Sequence, residues 1–193
     1  MTDYLFYCRD KPGMGETLHR LVEAHWSFMD AYADRLRARG PSLSDDGEEH
    51  TGSLHIVRLA TPAEIEVFAY REPFYAAGVY RDVTIRRWEN LLGRTMWEYE
   101  AASEDPMFLI LAHAETPMRN FAETHRAFAA ARRDRTVVYG SMLGVEDGAW
   151  YGFAQIVQMP DRTAVEKLVA EDPVIASGAM RVELHRWCIG GRR

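Results

Sequence analysis

The distribution of apolar and polar positions predicts short strands that alternate with amphipathic helices. Two apolar, aromatic-rich runs, "DYLFYC" near the N-terminus and "MFLILAH" from residue 107, have the length and composition of buried strands. Each run is followed by a stretch in which apolar residues recur at helical spacing, "ETLHRLVEAHWSFMDAYADRL" and "MRNFAETHRAFAAARRD". Thr116-Pro117 predicts the start of the second of these helices, because proline is favoured in the first helical turn.

The remaining strands and helices are predicted in the same order in both halves. A strand closing on Gly40-Pro41 or on Gly140 is followed by a polar turn and then by the strand "GSLHIVRLA" or "YGFAQIVQM". A second helix is predicted from "TPAEIEVFAY" and from "DRTAVEKLVA", and a last strand from "VYRDVTIRRW" and from "MRVELHRW". Each half therefore predicts β-α-β-β-α-β, the ferredoxin-like arrangement.

The chain is similar to itself at an offset of 100 residues. Residues 21–81 align with residues 121–181 without a gap, and 16 of the 61 aligned positions are identical. We therefore expect a ferredoxin-like repeat over residues 1–90, a linker over 91–104 and a second repeat over 105–193. One face of such a sheet is covered by its helices and the other needs a partner. The expected fold class is α+β, with two βαββαβ repeats forming an intrachain dimeric α+β barrel, a pseudo-dimer.

Composition restricts the classes of binding partner but says little about the type of reaction. The 193 residues carry a net charge of −6 with scattered basic residues, which argues against nucleic acid or an anionic membrane as partner. No apolar run approaches the roughly 20 residues that span a bilayer, and the N-terminus lacks the basic start of a signal peptide. Cys8 and Cys188 have no paired spacing. We expect a cytoplasmic protein whose partner is a small-molecule substrate, with homodimerisation left open.

Two histidines and two carboxylates occupy matching positions in the halves. His25 and His125 lie in the first helices, and Glu72 and Asp172 precede the proline that follows each second helix. A carboxylate that holds an imidazole fixes its tautomer and supports general acid–base catalysis. The alternative is that each histidine is a partly buried helix residue and each acid only starts a turn before proline. The sequence leaves both interpretations open.

Neither a metal nor a cofactor is predicted. His25, His50 and His55 would form a metal set only if the fold brought them together, and no HxH or HExxH spacing supports one. The glycines near residue 13 do not match a phosphate-binding loop. We therefore expect a cofactor-independent protein.

Two passages, with the spacing between them, resemble the YCII-related domain family. They are "AHWSFMDAYADRLRARGP" and "TGSLHIVRLATPAEIEVFAYREPFYAAGVYRDVTIRRW", in which "GS" and "AAGVY" are the specific features. The first half matches the family pattern over nearly its whole length. The second half retains His125, Gly140, Gly152, Asp172-Pro173 and Gly178.

The resemblance implies the dimeric α+β barrel fold, which is shared with muconolactone isomerases, EthD-like proteins and antibiotic-biosynthesis monooxygenases. It also implies an active-site pair of histidine and aspartate, which falls on His25, His125 and Asp172, whereas Glu72 replaces the aspartate in the first half. On this basis we expect His125 with Asp172 to act as base and acid. His25 with Glu72 is expected to form a second pocket or a structural relic.

The expected function is isomerase- or lyase-type acid–base chemistry on a small carbonyl, lactone or aromatic metabolite. Isomerisation, elimination and cyclisation all begin by removing a proton next to a carbonyl group and end by returning one elsewhere. Two alternatives stay open, a cofactor-free monooxygenase of the same fold and a non-catalytic module that binds a small ligand.

Overall fold

Eight strands and five helices alternate in the computed structural model, which describes residues 1–101, 103–119 and 121–192. The first half consists of β1 (Thr2–Asp10), α1 (Gly15–Asp30), β2 (Leu36–Leu43), β3 (His50–Leu59), α2 (Pro62–Tyr70), α3 (Pro73–Ala76) and β4 (Tyr80–Asn90). The second half consists of β5 (Met107–Met118), α4 (Ala122–Ala130), β6 (Thr136–Leu143), β7 (Trp150–Gln158), α5 (Arg162–Ala170) and β8 (Arg181–Trp187). Short 3₁₀ turns lie at Met96–Glu98 and Ile175–Ser177. The predicted α+β class is confirmed.

The strands form one closed antiparallel barrel in the order β1-β3-β2-β8-β5-β7-β6-β4. Two seams join the halves, β2 with β8, where Ser42 lies opposite Trp187, and β4 with β6, where Trp88 lies opposite Met142. The seams are short, with two paired positions between β2 and β8 and four between β4 and β6. Apolar side chains from both halves fill the interior, among them Leu5, Leu54, Ile56, Leu109, Leu111 and Ile156.

Each seam packs a tryptophan of one half against a glycine of the other. A Cβ atom on Gly40 would lie 2.6 Å from a ring atom of Trp187 and 2.0 Å from the carbonyl oxygen of Cys188. A Cβ atom on Gly140 would lie 2.4 Å from the ring of Trp88. Only glycine permits this approach, which explains why glycine recurs at the same place in both halves.

The helices cover the outside of the barrel. In the first half Phe6, Met29 and Phe68 are buried in one cluster between sheet and helices, and the rings of Phe6 and Phe68 are 4.7 Å apart. The side chain of Thr61 caps α2 by accepting a hydrogen bond from the backbone N–H of Glu64. Among the described helices, none combines the length with the apolar composition that a bilayer-spanning segment requires.

The predicted helix start at Thr116-Pro117 is wrong. Strand β5 continues through both residues to Met118, which pairs with Trp150 after a register shift. The residues from Glu115 to Pro117 are exposed at the end of the strand, where a proline removes no hydrogen bond from the interior of the sheet. Helix α4 therefore begins only at Ala122 and has 9 residues, against 16 in α1.

Replacing Gly40 with alanine is expected to destabilise the barrel. The new methyl group meets the Trp187 ring and a backbone oxygen that cannot rotate away, and overpacking of this kind costs about 1–3 kcal/mol. The control is Gly15→Ala at the start of α1, where a Cβ atom meets nothing within 4 Å. Urea unfolding followed by circular dichroism should show a lower midpoint for Gly40→Ala alone. Equal midpoints for the two variants would contradict the tight seam.

Candidate functional site

The first histidine–carboxylate pair forms a direct hydrogen bond. Nδ1 of His25, on α1, lies 2.5 Å from Oε1 of Glu72, which precedes α3. Both residues are buried, His25 with 8% of its surface exposed and Glu72 with 3%. Because Nδ1 donates to the carboxylate, Nε2 is the ring nitrogen that remains for a ligand.

Backbone N–H groups in the first turn of α3 hold the Glu72 carboxylate in its orientation. Oε1 of Glu72 accepts a hydrogen bond from the backbone N–H of Phe74 at 3.0 Å, and Oε2 accepts one from that of Tyr75 at 2.9 Å. Glu72 is thus the N-cap of a helix whose first residue is Pro73. The ring of Phe74 then stacks on His25 with 4.2 Å between ring centroids. The local sequence therefore positions both members of the pair.

A cavity of about 330 Å³ borders His25 between α1 and strands β2 and β3. His50 and His55 contribute two more imidazoles to its wall. The other walls include Leu18, Val22, Trp26, Arg39, Ser53 and Phe74. Residues 188–191, which follow β8, form part of the lining, so both halves of the chain build this cavity.

His55 is a neutral, buried group at this cavity. Burial lowers the pKa of His55 well below its usual value, and the nearby guanidinium of Arg39 acts in the same direction. Its ring centroid lies 5.4 Å from that of His25. Within the described residues no hydrogen bond reaches the His55 ring, which forms part of the cavity wall.

The second pair, His125 and Asp172, is also brought together but is fully enclosed. Nε2 of His125 lies 3.3 Å from Oδ2 of Asp172, without the alignment of a hydrogen bond, and the residues are 0% and 1% exposed. Oδ1 of Asp172 accepts hydrogen bonds from the backbone N–H groups of Val174 and Ile175. Burial acts to raise the pKa of Asp172, but His125 and these N–H groups outweigh it and hold the pKa below its usual value.

Aromatic rings occupy the space around His125. Its ring lies 4.4 Å from that of Phe153, and the other neighbours are Phe121, Tyr139 and Trp150. At the offset of 100 residues, Phe153 corresponds to Ser53 and Trp150 to His50. The volume that is open beside His25 is therefore filled beside His125.

A further histidine–carboxylate pair, whose histidine lines the cavity, was missed from the sequence. Nδ1 of His50 is 2.5 Å from Oδ2 of Asp10, although 40 positions separate the residues. The sequence signal for this pair was a difference between the halves: the first has His50 where the second has Trp150. Among the described residues no group of three or more His, Cys, Asp or Glu side chains is arranged to hold a metal ion. His25, His50 and His55 thus share a cavity without a metal-binding geometry.

A network of charged and polar side chains connects β1 with β8. Arg9 on β1 donates to both carboxylate oxygens of Glu183 on β8, at 3.1 and 2.6 Å. Nε2 of His113 lies 3.2 Å from Glu183, and the hydroxyl of Tyr7 lies 3.1 Å from Nε2 of His185. This network, also missed from the sequence, links the two halves.

The chain is an α+β protein in which a closed antiparallel barrel carries a carboxylate-held histidine on its first helix. Residues 2–89 match the YCII-related domain family. The resemblance predicted from the sequence is confirmed over this first half of the chain. No curated protein sequence matches the chain.

Solved structures similar to the chain include a 5-chloro-2-hydroxyhydroquinone dehydrochlorinase from Burkholderia phenoliruptrix in complex with 2,5-dihydroxybenzoquinone. It is 25% identical, covers 45% of this chain and 93% of its own, and has a TM-score of 0.42. A protein from Fusobacterium nucleatum described as a monooxygenase is 7% identical, covers 97% and 91%, and has a TM-score of 0.58. Chlorite dismutase from Candidatus Nitrospira defluvii is 9% identical, covers 96% and 91%, and has a TM-score of 0.56. The last two similarities show the fold alone.

The lowered pKa of Asp172 predicts a pH-dependent contribution to stability. Its carboxylate stabilises the fold above the usual pKa of about 3.9, and this contribution is lost as the pH falls through the lowered value. Asp172→Asn should therefore be less stable than the unaltered protein at about pH 7, with a smaller difference at about pH 3. Urea unfolding at both pH values measures this, with the exposed Asp34→Asn as control. A difference that stays constant with pH would be inconsistent with this contribution.

Proposed function

We propose that the chain is a cofactor-independent enzyme that removes and returns a proton on a small carbonyl, lactone or aromatic substrate. The observation that supports this most directly is the hydrogen bond between His25 and Glu72 beside a cavity of about 330 Å³. Isomerisation, elimination and cyclisation all use such a step, and the cavity is of the size that holds one small molecule.

His25 acts as the base in this proposal. Its Nε2 takes the proton from a carbon next to the carbonyl group, and the electron pair moves onto the carbonyl oxygen. The charge of Glu72 stabilises the imidazolium that forms, because Glu72 holds Nδ1 at 2.5 Å. His55 is neutral and makes no hydrogen bond within the described residues, so in this proposal it donates a hydrogen bond to the developing oxyanion.

We place the reaction at His25, although the sequence favoured His125. His125 is 0% exposed and lies among aromatic rings, whereas His25 borders the cavity. His125 and Asp172 then have a structural role, in which Asp172 caps the turn that leads into the last strand. Glu72 has kept both the capping role and the histidine contact.

We also propose that the barrel is an intrachain dimer of two ferredoxin-like repeats, residues 1–90 and 105–193, joined by the linker 91–104. Equivalent strands meet at the two seams, β2 with β8 and β6 with β4. The tight contact of Gly40 with Trp187 has its counterpart in Gly140 with Trp88. Such a duplication leaves one repeat free to lose its site while it keeps its packing.

The experiment is a screen for proton exchange in D₂O with lactones, enolisable carbonyl compounds, quinones and phenolic acids, read by mass spectrometry. We expect at least one compound to incorporate deuterium at carbon and to be converted. His25→Gln should lower both rates by about 10²–10⁴-fold, the usual contribution of a general base. The matched variant His125→Gln should keep both rates per folded protein. Full activity in His25→Gln would rule out the assignment.

A cavity-filling variant tests the location of the site independently. Ser53→Phe introduces the residue that the second half has as Phe153 and occupies part of the cavity beside His25. It should remove turnover and ligand-induced thermal stabilisation while the protein remains folded by circular dichroism. Ligands that raise the melting temperature of the unaltered protein without being converted would instead favour the non-catalytic binding module.

A further inference from the structure

We propose that His50, held by Asp10, is a second proton-transfer residue of the same cavity, an assignment that rests on the proposed function of His25. Nδ1 of His50 lies 2.5 Å from Oδ2 of Asp10, whose side chain is 4% exposed. The carboxylate fixes which ring nitrogen carries the proton, so Nε2 remains for a bound molecule. The arrangement matches that of His25 with Glu72.

Both carboxylate-held imidazoles border one volume. His25 and His50 line the cavity of about 330 Å³, and each contacts the ring of Phe74. His25 stacks on this ring at 4.2 Å between centroids, and His50 meets it edge-on at 6.4 Å. A single small molecule in the cavity is therefore within reach of two groups that can exchange protons.

His50 also borders a second space, a surface cleft of about 680 Å³ that His25 does not line. Exposed charged residues, Lys11, Glu48 and Glu49, lie along this cleft. His50 thus lies between the inner cavity and a cleft whose charged residues are in contact with water. Protons can reach His50 from solvent while a substrate covers His25.

In this proposal both histidines take part in an isomerisation. The proton leaves carbon for Nε2 of His25, and the electron pair moves onto the carbonyl oxygen. With a β,γ-unsaturated carbonyl substrate this leaves a dienolate, and protonated His50 delivers its proton to the γ carbon, so that the carbonyl group re-forms and the double bond moves into conjugation. At that point His25 is protonated and His50 is neutral. Loss of a proton from His25 and uptake of one by His50 through the cleft restore the starting state, with no net consumption.

The pair is present only in the half that has the cavity. Trp150 occupies the position of His50 in the second half. The strand register gives Ala114 as the counterpart of Asp10, because Arg9 pairs with Gly52 as His113 pairs with Gly152. Cavity, His25 and the additional pair therefore coincide in the first half.

The test compares two rates in D₂O with the compound that the screen identifies, namely deuterium incorporation into recovered substrate and formation of product. In His50→Gln, product formation should fall by about 10²-fold or more, whereas exchange into substrate continues because His25 still removes and returns a proton. Asp10→Asn should give the same split and serves if His50→Gln does not fold. The control is His113→Gln, which breaks a histidine–glutamate contact outside the cavity and should keep both rates per folded protein.

The outcomes separate the two proposals. Unchanged product formation in both His50→Gln and Asp10→Asn overturns the assignment of His50, as does an equal loss of both rates at an unchanged melting temperature. Full activity in His25→Gln, or no exchange with any compound by the unaltered protein, overturns the proposed function and this inference with it. Recovery of product formation in His50→Ala on addition of free imidazole would support a proton-transfer role over a structural one.

Discussion

Closure of the barrel between the two halves is the constraint on which the rest of the structure depends. Each half alone would leave one face of its sheet in water, and the seams bury that face by placing Trp187 on Gly40 and Trp88 on Gly140. Because β8 pairs with β2, the residues that follow β8 run past Gly40. Residues 188–191 therefore form a wall of the cavity beside His25 in the first half. The candidate site is therefore a consequence of closure and not a property of the first half alone.

The coarse order of elements could be predicted because it follows from local hydrophobic periodicity. The offset of 100 residues could be predicted because identical residues recur at that spacing. The helix start predicted at Thr116-Pro117 is wrong because the preference of proline for a first helical turn is local, whereas the pairing of Met118 with Trp150 that extends β5 is not. The matched histidines and acids followed from the repeat. Their contact depends on the cap geometry that Glu72 and Asp172 adopt before proline.

Which histidine borders a cavity could not be predicted in the same way. It depends on the volumes of side chains that different strands bring together, such as Ser53 against Phe153 and His50 against Trp150. Because protein interiors are closely packed, a single difference in side-chain volume at such a position decides whether the space beside the histidine is open or filled. The contact of Asp10 with His50 depends likewise on the register of β1 with β3, which sequence spacing does not reveal.

The segments that follow β4 and β8 explain why a cavity borders His25 whereas packed side chains surround His125. After β8, the backbone N–H of Gly190 donates to the carbonyl oxygen of Arg39 at 3.0 Å, and after β4 the N–H of Leu91 donates to that of Tyr139 at 2.9 Å. These bonds are equivalent in the repeat, but the first is followed by Gly191 and the second by Leu92. Leu92 is buried in one cluster with Tyr139, Trp150 and Phe153, so the second half is closed by a side chain where the first is covered by backbone. The same fold thus keeps a cavity at one histidine and a packed core at the other, because glycine adds no side-chain volume to the wall.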